Sequence, residues 1–190
     1  MSAFTFQGRT FNYFDHPHNH TRINERAVEL PLVKYFLDKY PDCVEIGAVS
    51  PYYFEGEHEI YDLTDSHVRS KSARAEDINV AGRNLLSIST IEHCQVPDTY
   101  CSDDDPTMAP AILDRWINTA KNYLISWPMG YAPFLDRSAV EKYDCKFISR
   151  RPQNSHNWEQ VFGFDKLDEN DKRYGSYHCA STVIVLENVF

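Results

Sequence analysis

Six short strand-like runs, at 43–47, 58–63, 84–89, 122–127, 145–149 and 179–187, punctuate this chain, and they are largely apolar. Strands separated by crossovers predict an α/β fold with a mostly parallel sheet, since hairpin turns join only antiparallel neighbours. One crossover reads as helical. Roughly 107–121 carries Met108, Ile112, Leu113, Trp116 and Ile117 on one face and begins at Pro106, after Asp103-Asp104-Asp105. Acids there suit a helix start, where they oppose the positive end of its dipole. A second helical pattern follows Asn24 as a plausible cap, through Ala27, Val28, Leu30, Leu32, Val33, Phe36 and Leu37. Pro31 is expected to break or kink it, and Pro41-Asp42 to end it. The stretches 50–57 and 64–83 leave little room for helices, so the early crossovers are short and the domain minimal.

The 190 residues, 42% of them hydrophobic, suffice for one self-supporting core and not for two. We therefore read an aromatic and His-rich N-terminal arm over 1–21, ordered by lying on the rest, and a single domain over 22–190. A net charge of −9 with no long basic block argues against nucleic acid as partner. No apolar stretch approaches the roughly 20 residues a membrane helix needs, and no signal core follows Met1. The sequence reads as soluble and cytoplasmic. The five cysteines, Cys43, Cys94, Cys101, Cys145 and Cys179, include no CxxC pair, and buried thiols are the expectation rather than disulfides or metal ligands.

The chemistry-bearing residues gather at strand ends. Val44-Glu45-Ile46-Gly47 closes one run and His58-Glu59-Ile60-Tyr61-Asp62 closes the next. Glycine lets a backbone approach a ligand, and a carboxylate accepts hydrogen bonds from ribose hydroxyls, so this pairing points to a nucleoside cofactor.

With Arg22-Ile23-Asn24-Glu25-Arg26-Ala27-Val28-Glu29, Glu76-Asp77-Ile78, Leu86 to His93 and Trp127-Pro128-Met129-Gly130-Tyr131, these segments resemble a small class I S-adenosylmethionine-dependent methyltransferase. The compact viral and bacterial members that O-methylate sugars or glycans look most similar. The resemblance implies a Rossmann-like sheet of seven strands with the last, Ala180 to Glu187, antiparallel. It implies S-adenosyl-L-methionine as cofactor. Glu45 and Gly47 would lie beneath its methionine part and Asp62 on its ribose. Asp77 and the Ile78 amide would read the adenine, and Arg22, Glu25 and Arg26 would fold over the carboxylate. Ala48, Leu63, Ser89 and Thr90 would complete the cofactor site. The chain departs from the family where Gly47 is followed by Ala48-Val49-Ser50-Pro51 instead of further glycines.

Methyl transfer needs alignment first and a base second. His93 is the expected proton acceptor, Glu92 its orienting partner, and Asp136 a further acid facing the acceptor. Tyr131, Asn157 and Trp158 would hold a sugar or other small polar acceptor. Two other readings stand beside this one. The first is a binding module of the same fold without catalysis; the second, a metal-dependent hydrolase using His16-Pro17-His18-Asn19-His20, lacks the further ligands such centres place nearby. No GxSxG elbow or Walker loop is present.

Overall fold

The computed structural model describes residues 3–94, 105–152, 155–174 and 180–190. Asp103, Asp104, Cys101 and Cys179 lie outside them. The chain is an α/β protein with a mostly parallel eight-stranded sheet and few helices. Along the sheet the order is β5 (Ser70–Ser72), β4 (Glu59–Asp62), β3 (Val44–Ile46), β6 (Asn84–Ile88), β7 (Asn122–Pro128), β10 (Thr182–Glu187), β8 (Lys146–Arg150) and β9 (Trp158–Val161). The β5–β4, β4–β3, β3–β6 and β6–β7 pairs are parallel, whereas β10 runs antiparallel to both β7 and β8, as does β9 to β8. The expected count of seven strands is corrected to eight.

Apolar residues on both faces make the central strands read as continuous hydrophobic runs. Ile125, Trp127, Ile184 and Leu186 face one core, packed against α2 (Met108–Thr119) and α3 (Pro133–Lys142). Leu86, Ile88, Val183 and Val185 face the other, covered by α1 (Arg26–Lys39) and by Phe4 and Phe6 of the hairpin β1 (Ala3–Phe6)–β2 (Arg9–Asn12). The arm thus contains a hairpin. Gln7 and Gly8 both have positive φ, the geometry of the tight turn whose twist matches antiparallel strands.

Pro31 does not break α1. A proline cannot donate to the carbonyl four residues back, here that of Ala27, and the Phe14 amide of the arm donates to it instead at 3.0 Å. The cap position of α1 is Glu25 and not Asn24, which stands one residue earlier with its Oδ1 accepting from the Arg26 amide at 3.0 Å. The early crossovers are short, with only three-residue 3₁₀ turns at Ser50–Tyr52 and Ala75–Asp77, which leaves the ends of β3 and β4 open to one side. Among the described residues Cys43 is buried and Cys94 and Cys145 are half-buried. No helix among them is long and apolar enough to cross a membrane.

Candidate functional site

Parallel strands bring their carboxyl ends to one edge, and at that edge lies a cavity of about 1170 Å³. Its floor is formed by the residues following β3 (Gly47, Ala48), β4 (Asp62, Leu63), β6 (Ser89, Thr90, Glu92, His93) and β7 (Tyr131). The start of α1 (Glu25, Arg26) and residues 73–76 close its sides. The size suits a cofactor of drug-like dimensions.

Asp62 and Gly47 are neighbours here. Asp62 Oδ1 accepts from the Thr64 and Asp65 amides, both at 2.8 Å, and Oδ2 accepts from the Ala48 amide at 2.9 Å. A carboxylate oxygen has two lone pairs, so Oδ2 keeps one acceptor position for a ligand hydroxyl. The Gly47 amide donates to the Tyr61 carbonyl at 2.8 Å, which ties the two strand ends together. Gly47 is required by its φ of +91° and by Thr90: a Cβ at this position would stand 2.6 Å from Thr90 Cβ and 2.7 Å from its Cγ2. The space the missing side chain leaves is filled by Thr90.

Beneath the floor lies a buried charge cluster. Arg26 donates to Glu29 and, at 2.7 Å, to Ser89 Oγ. Glu29 also accepts from Ser126 Oγ at 2.6 Å and from Ser89 Oγ. Burial opposes the Arg26 charge, but the Glu29 and Glu25 carboxylates more than offset this and hold its pKa above the ordinary value. Burial raises the Glu25 carboxyl, an effect that Arg26 reduces and Glu29 reinforces. Burial also raises Glu92 well above the usual carboxylate range, and Glu29 and Glu25 add to the shift. Glu92 Oε2 has no hydrogen-bond partner among the described residues. Its Oε1 stands 3.9 Å from His93 Nε2, too far for a hydrogen bond, and the His93 ring meets Tyr131 edge to face at 4.7 Å. Tyr131 packs the same way on Tyr174.

Eleven of the sequence-derived site residues line the cavity: Glu25, Arg26, Gly47, Ala48, Asp62, Leu63, Ser89, Thr90, Glu92, His93 and Tyr131. Seven do not, for physical reasons. Glu45 is fully buried below the loop, where its carboxylate accepts from the Val49 and Ser50 amides at 3.1 and 2.7 Å, from the Ser50 hydroxyl, and pairs with His58 Nε2 at 2.7 Å. It holds the loop shut and has no reach to a ligand. Asp136 accepts from Trp127 Nε1 at 2.8 Å and the Gly130 amide at 2.7 Å, so it braces the turn after β7 from inside and does not face an acceptor. Trp158 lies on β9 with its ring in the core behind the sheet, and Asn157 precedes it on the same edge. Ile78 is likewise core, Asp77 sits beside it, and the wall they were expected to form consists of Ala73 to Glu76. Arg22 is exposed and lies outside the cavity lining, where Arg26 stands instead.

Sequence reasoning missed Tyr61, Arg74, Tyr174 and the 64–66 turn as lining. Tyr61 adjoins Asp62 and follows from the strand end alone, whereas Tyr174 arrives from a segment with no periodic signal. In the His tract, His16 Nδ1 accepts from the His18 amide at 3.1 Å and the His18 ring stacks on Tyr52. No group of three or more His, Cys, Asp or Glu among the described residues is placed to hold a metal ion.

Asp136 gives a pH test of the brace. Burial pushes its carboxyl from 3.8 up to about 6, against the two hydrogen bonds it accepts. A folded pKa above the unfolded one means the native state holds the proton more tightly, so this group lowers stability as pH rises from about 4 to about 6. The total is about 3 kcal/mol at 1.36 kcal/mol per unit. Asp136→Asn does not titrate, so the stability of the wild type relative to this variant is expected to fall across that window in parallel thermal melts. A difference that is constant with pH refutes the assignment.

Comparison with protein-family models, curated proteins and solved structures finds no match to this chain.

Proposed function

We propose that this protein is an S-adenosylmethionine-dependent methyltransferase acting on a hydroxyl of a sugar, glycan or other small polar acceptor. The observation that carries the reading is the cavity at the ends of β3, β4, β6 and β7 with Asp62 and Gly47 side by side in it. In this reading β5-β4-β3-β6-β7-β10-β8 is the family's seven-stranded Rossmann-like sheet, β10 its antiparallel last strand, and β9 an added edge.

The residues present suit the cofactor: Asp62 Oδ2 retains an acceptor site for the ribose, and the cavity volume accommodates the whole molecule. When bound, the sulfonium supplies a methyl group already activated for in-line displacement. The protein's part is to hold the acceptor oxygen on that line, with Tyr131 as an apolar wall, and to take the hydroxyl proton on His93 as the oxygen attacks. His93 lies five residues past the end of β6, in the 3₁₀ turn Ile91–His93 on the cavity floor beside Glu92.

Calorimetric titration with S-adenosylhomocysteine tests the reading. Binding is expected, and Asp62→Ala should abolish it, because both the ribose acceptor and the anchor of the Ala48 amide are lost. A flat trace with well-folded wild-type protein overturns the reading. A second reading, a non-catalytic binder of the same fold, is favoured by one observation: Thr90 occupies the space at Gly47 where the family's glycines admit the cofactor closely. Transfer of radiolabelled methyl into any glycan acceptor eliminates it.

A further inference from the structure

Glu25, Arg26 and Glu92 line the cavity with Glu29 buried behind them, and the bonding among them is uneven. Arg26 is committed to Glu29 and Ser89, and Glu29 is occupied by Arg26, Ser89 and Ser126. Glu25 Oε2 accepts from the Ala180 backbone amide at 3.2 Å. Glu92 is 1% exposed, lines the cavity, and leaves Oε2 without a partner among the described residues. An unpaired buried acceptor costs about 1–3 kcal/mol, more if charged, so one that lines a cavity is a natural place for a ligand to bond. With Glu29 already paired to Arg26, an ionised Glu92 would need a partner that both donates hydrogen bonds and carries positive charge. A protonated amine is both: three N–H donors, no acceptor, one positive charge.

The surroundings favour the same ligand. Tyr131, Tyr174 and His93 form a run of ring contacts at 4.7 and 5.0 Å beside Glu92, and aromatic faces attract ammonium groups. Adjacent strands stand about 4.8 Å apart, so the β6 end lies about 10 Å across the sheet from Asp62 on β4, on the side away from the proposed ribose.

We propose that Glu92, with Glu25 beside it, seats a protonated amine of the acceptor, so that the molecule methylated is an amine-bearing polyol such as an amino sugar. This rests on the methyl-transfer reading above and deepens it. Glu92 is then a specificity residue: it repels anionic acceptors, leaves neutral ones without their charge partner, and fixes the hydroxyl beside the ammonium against His93. Because burial favours the protonated carboxyl in the empty site, seating the ammonium expels a proton: the acid and the ammonium become a carboxylate–ammonium pair and one H⁺ passes to solvent.

The test uses the full chain, saturated with S-adenosylhomocysteine, titrated with the glucosamine trimer and with the N-acetylglucosamine trimer. Binding of the free amine is expected to be about tenfold or more tighter, with Glu92→Gln removing the preference. Repeating the wild-type titration in buffers of different ionisation enthalpy should reveal proton release with the amine and none with the acetylated trimer, a readout that needs no variant. Equal affinities, no binding of either trimer, or binding without proton release overturns the proposal. If Glu92→Gln weakens S-adenosylhomocysteine but not 5′-methylthioadenosine, the ammonium seated is that of the cofactor and the acceptor assignment falls. Amine binding in a protein that ignores S-adenosylhomocysteine would keep the ammonium seat and remove methyl transfer; cofactor binding without amine preference would do the reverse.

Discussion

Glu29→Met is expected to destabilise the protein by about 3 kcal/mol, within the range for breaking a buried ion pair by removing one partner. Glu29 is 1% exposed and is the direct partner of Arg26, whose side chain is 11% exposed. Without that carboxylate the guanidinium stays buried with only Ser89 and the more distant pull of Glu25, while the Ser126 hydroxyl loses its acceptor. The cost therefore comes from an uncompensated charge, not from lost packing, since Met fills a similar volume. Arg26→Met in the same chain removes the stranded charge, and the double variant is expected to recover most of the loss. Denaturant unfolding of the wild type, both single variants and the double variant measures this. A single-variant cost under about 1 kcal/mol, or a double variant no better than Glu29→Met, contradicts the account of the cluster.

Gly47→Ala should cost about 2–6 kcal/mol, the sum of two penalties at one atom. A non-glycine residue held at φ +91° costs about 1–3 kcal/mol, and overpacking against Thr90 adds a similar amount. For a chain of this size each kcal/mol moves the melting temperature by about 2–4 °C, so the midpoint should fall by roughly 4–24 °C. Thr90→Gly separates the parts. In the double variant the collision is gone and only the backbone strain remains, so a double-mutant cycle should return about 1–3 kcal/mol of coupling. Strict additivity would mean that Thr90 does not dictate glycine at position 47.

What the sequence reveals depends on how each residue is satisfied. Strands β3, β6, β7 and β10 are legible because both of their faces are covered and their side chains are mostly apolar. The edge strand β5 reads Ser-Lys-Ser and carries no such signal, since its polar side chains face solvent. The β1–β2 hairpin hides behind Gln7-Gly8, a weaker turn signal than Asn-Gly, and α3 opens on Pro133, a residue as common in loops as at helix starts.

The site divides along the same line. Gly47, Asp62, Glu92 and His93 come together because parallel strands end at a common edge, a consequence of fold class alone. Glu45 and Asp136 are also acids near strand ends, yet each is turned inward by partners that only the folded chain supplies, Ser50 and His58 for one and Trp127 and Gly130 for the other. Trp158 shows the same ambiguity for aromatics: a ring beside polar residues suits a sugar platform or a core, and its inward position on β9 decides for the core.

The most direct test of the proposed function is a crystal structure of the protein soaked with S-adenosylhomocysteine. The account predicts the ribose hydroxyls within hydrogen-bond distance of Asp62 Oδ2, the adenosine spanning the ends of β3 and β4, and the sulfur directed toward His93 and Glu92. Cofactor density elsewhere on the protein, or a cavity that stays empty at saturating concentration, would contradict it.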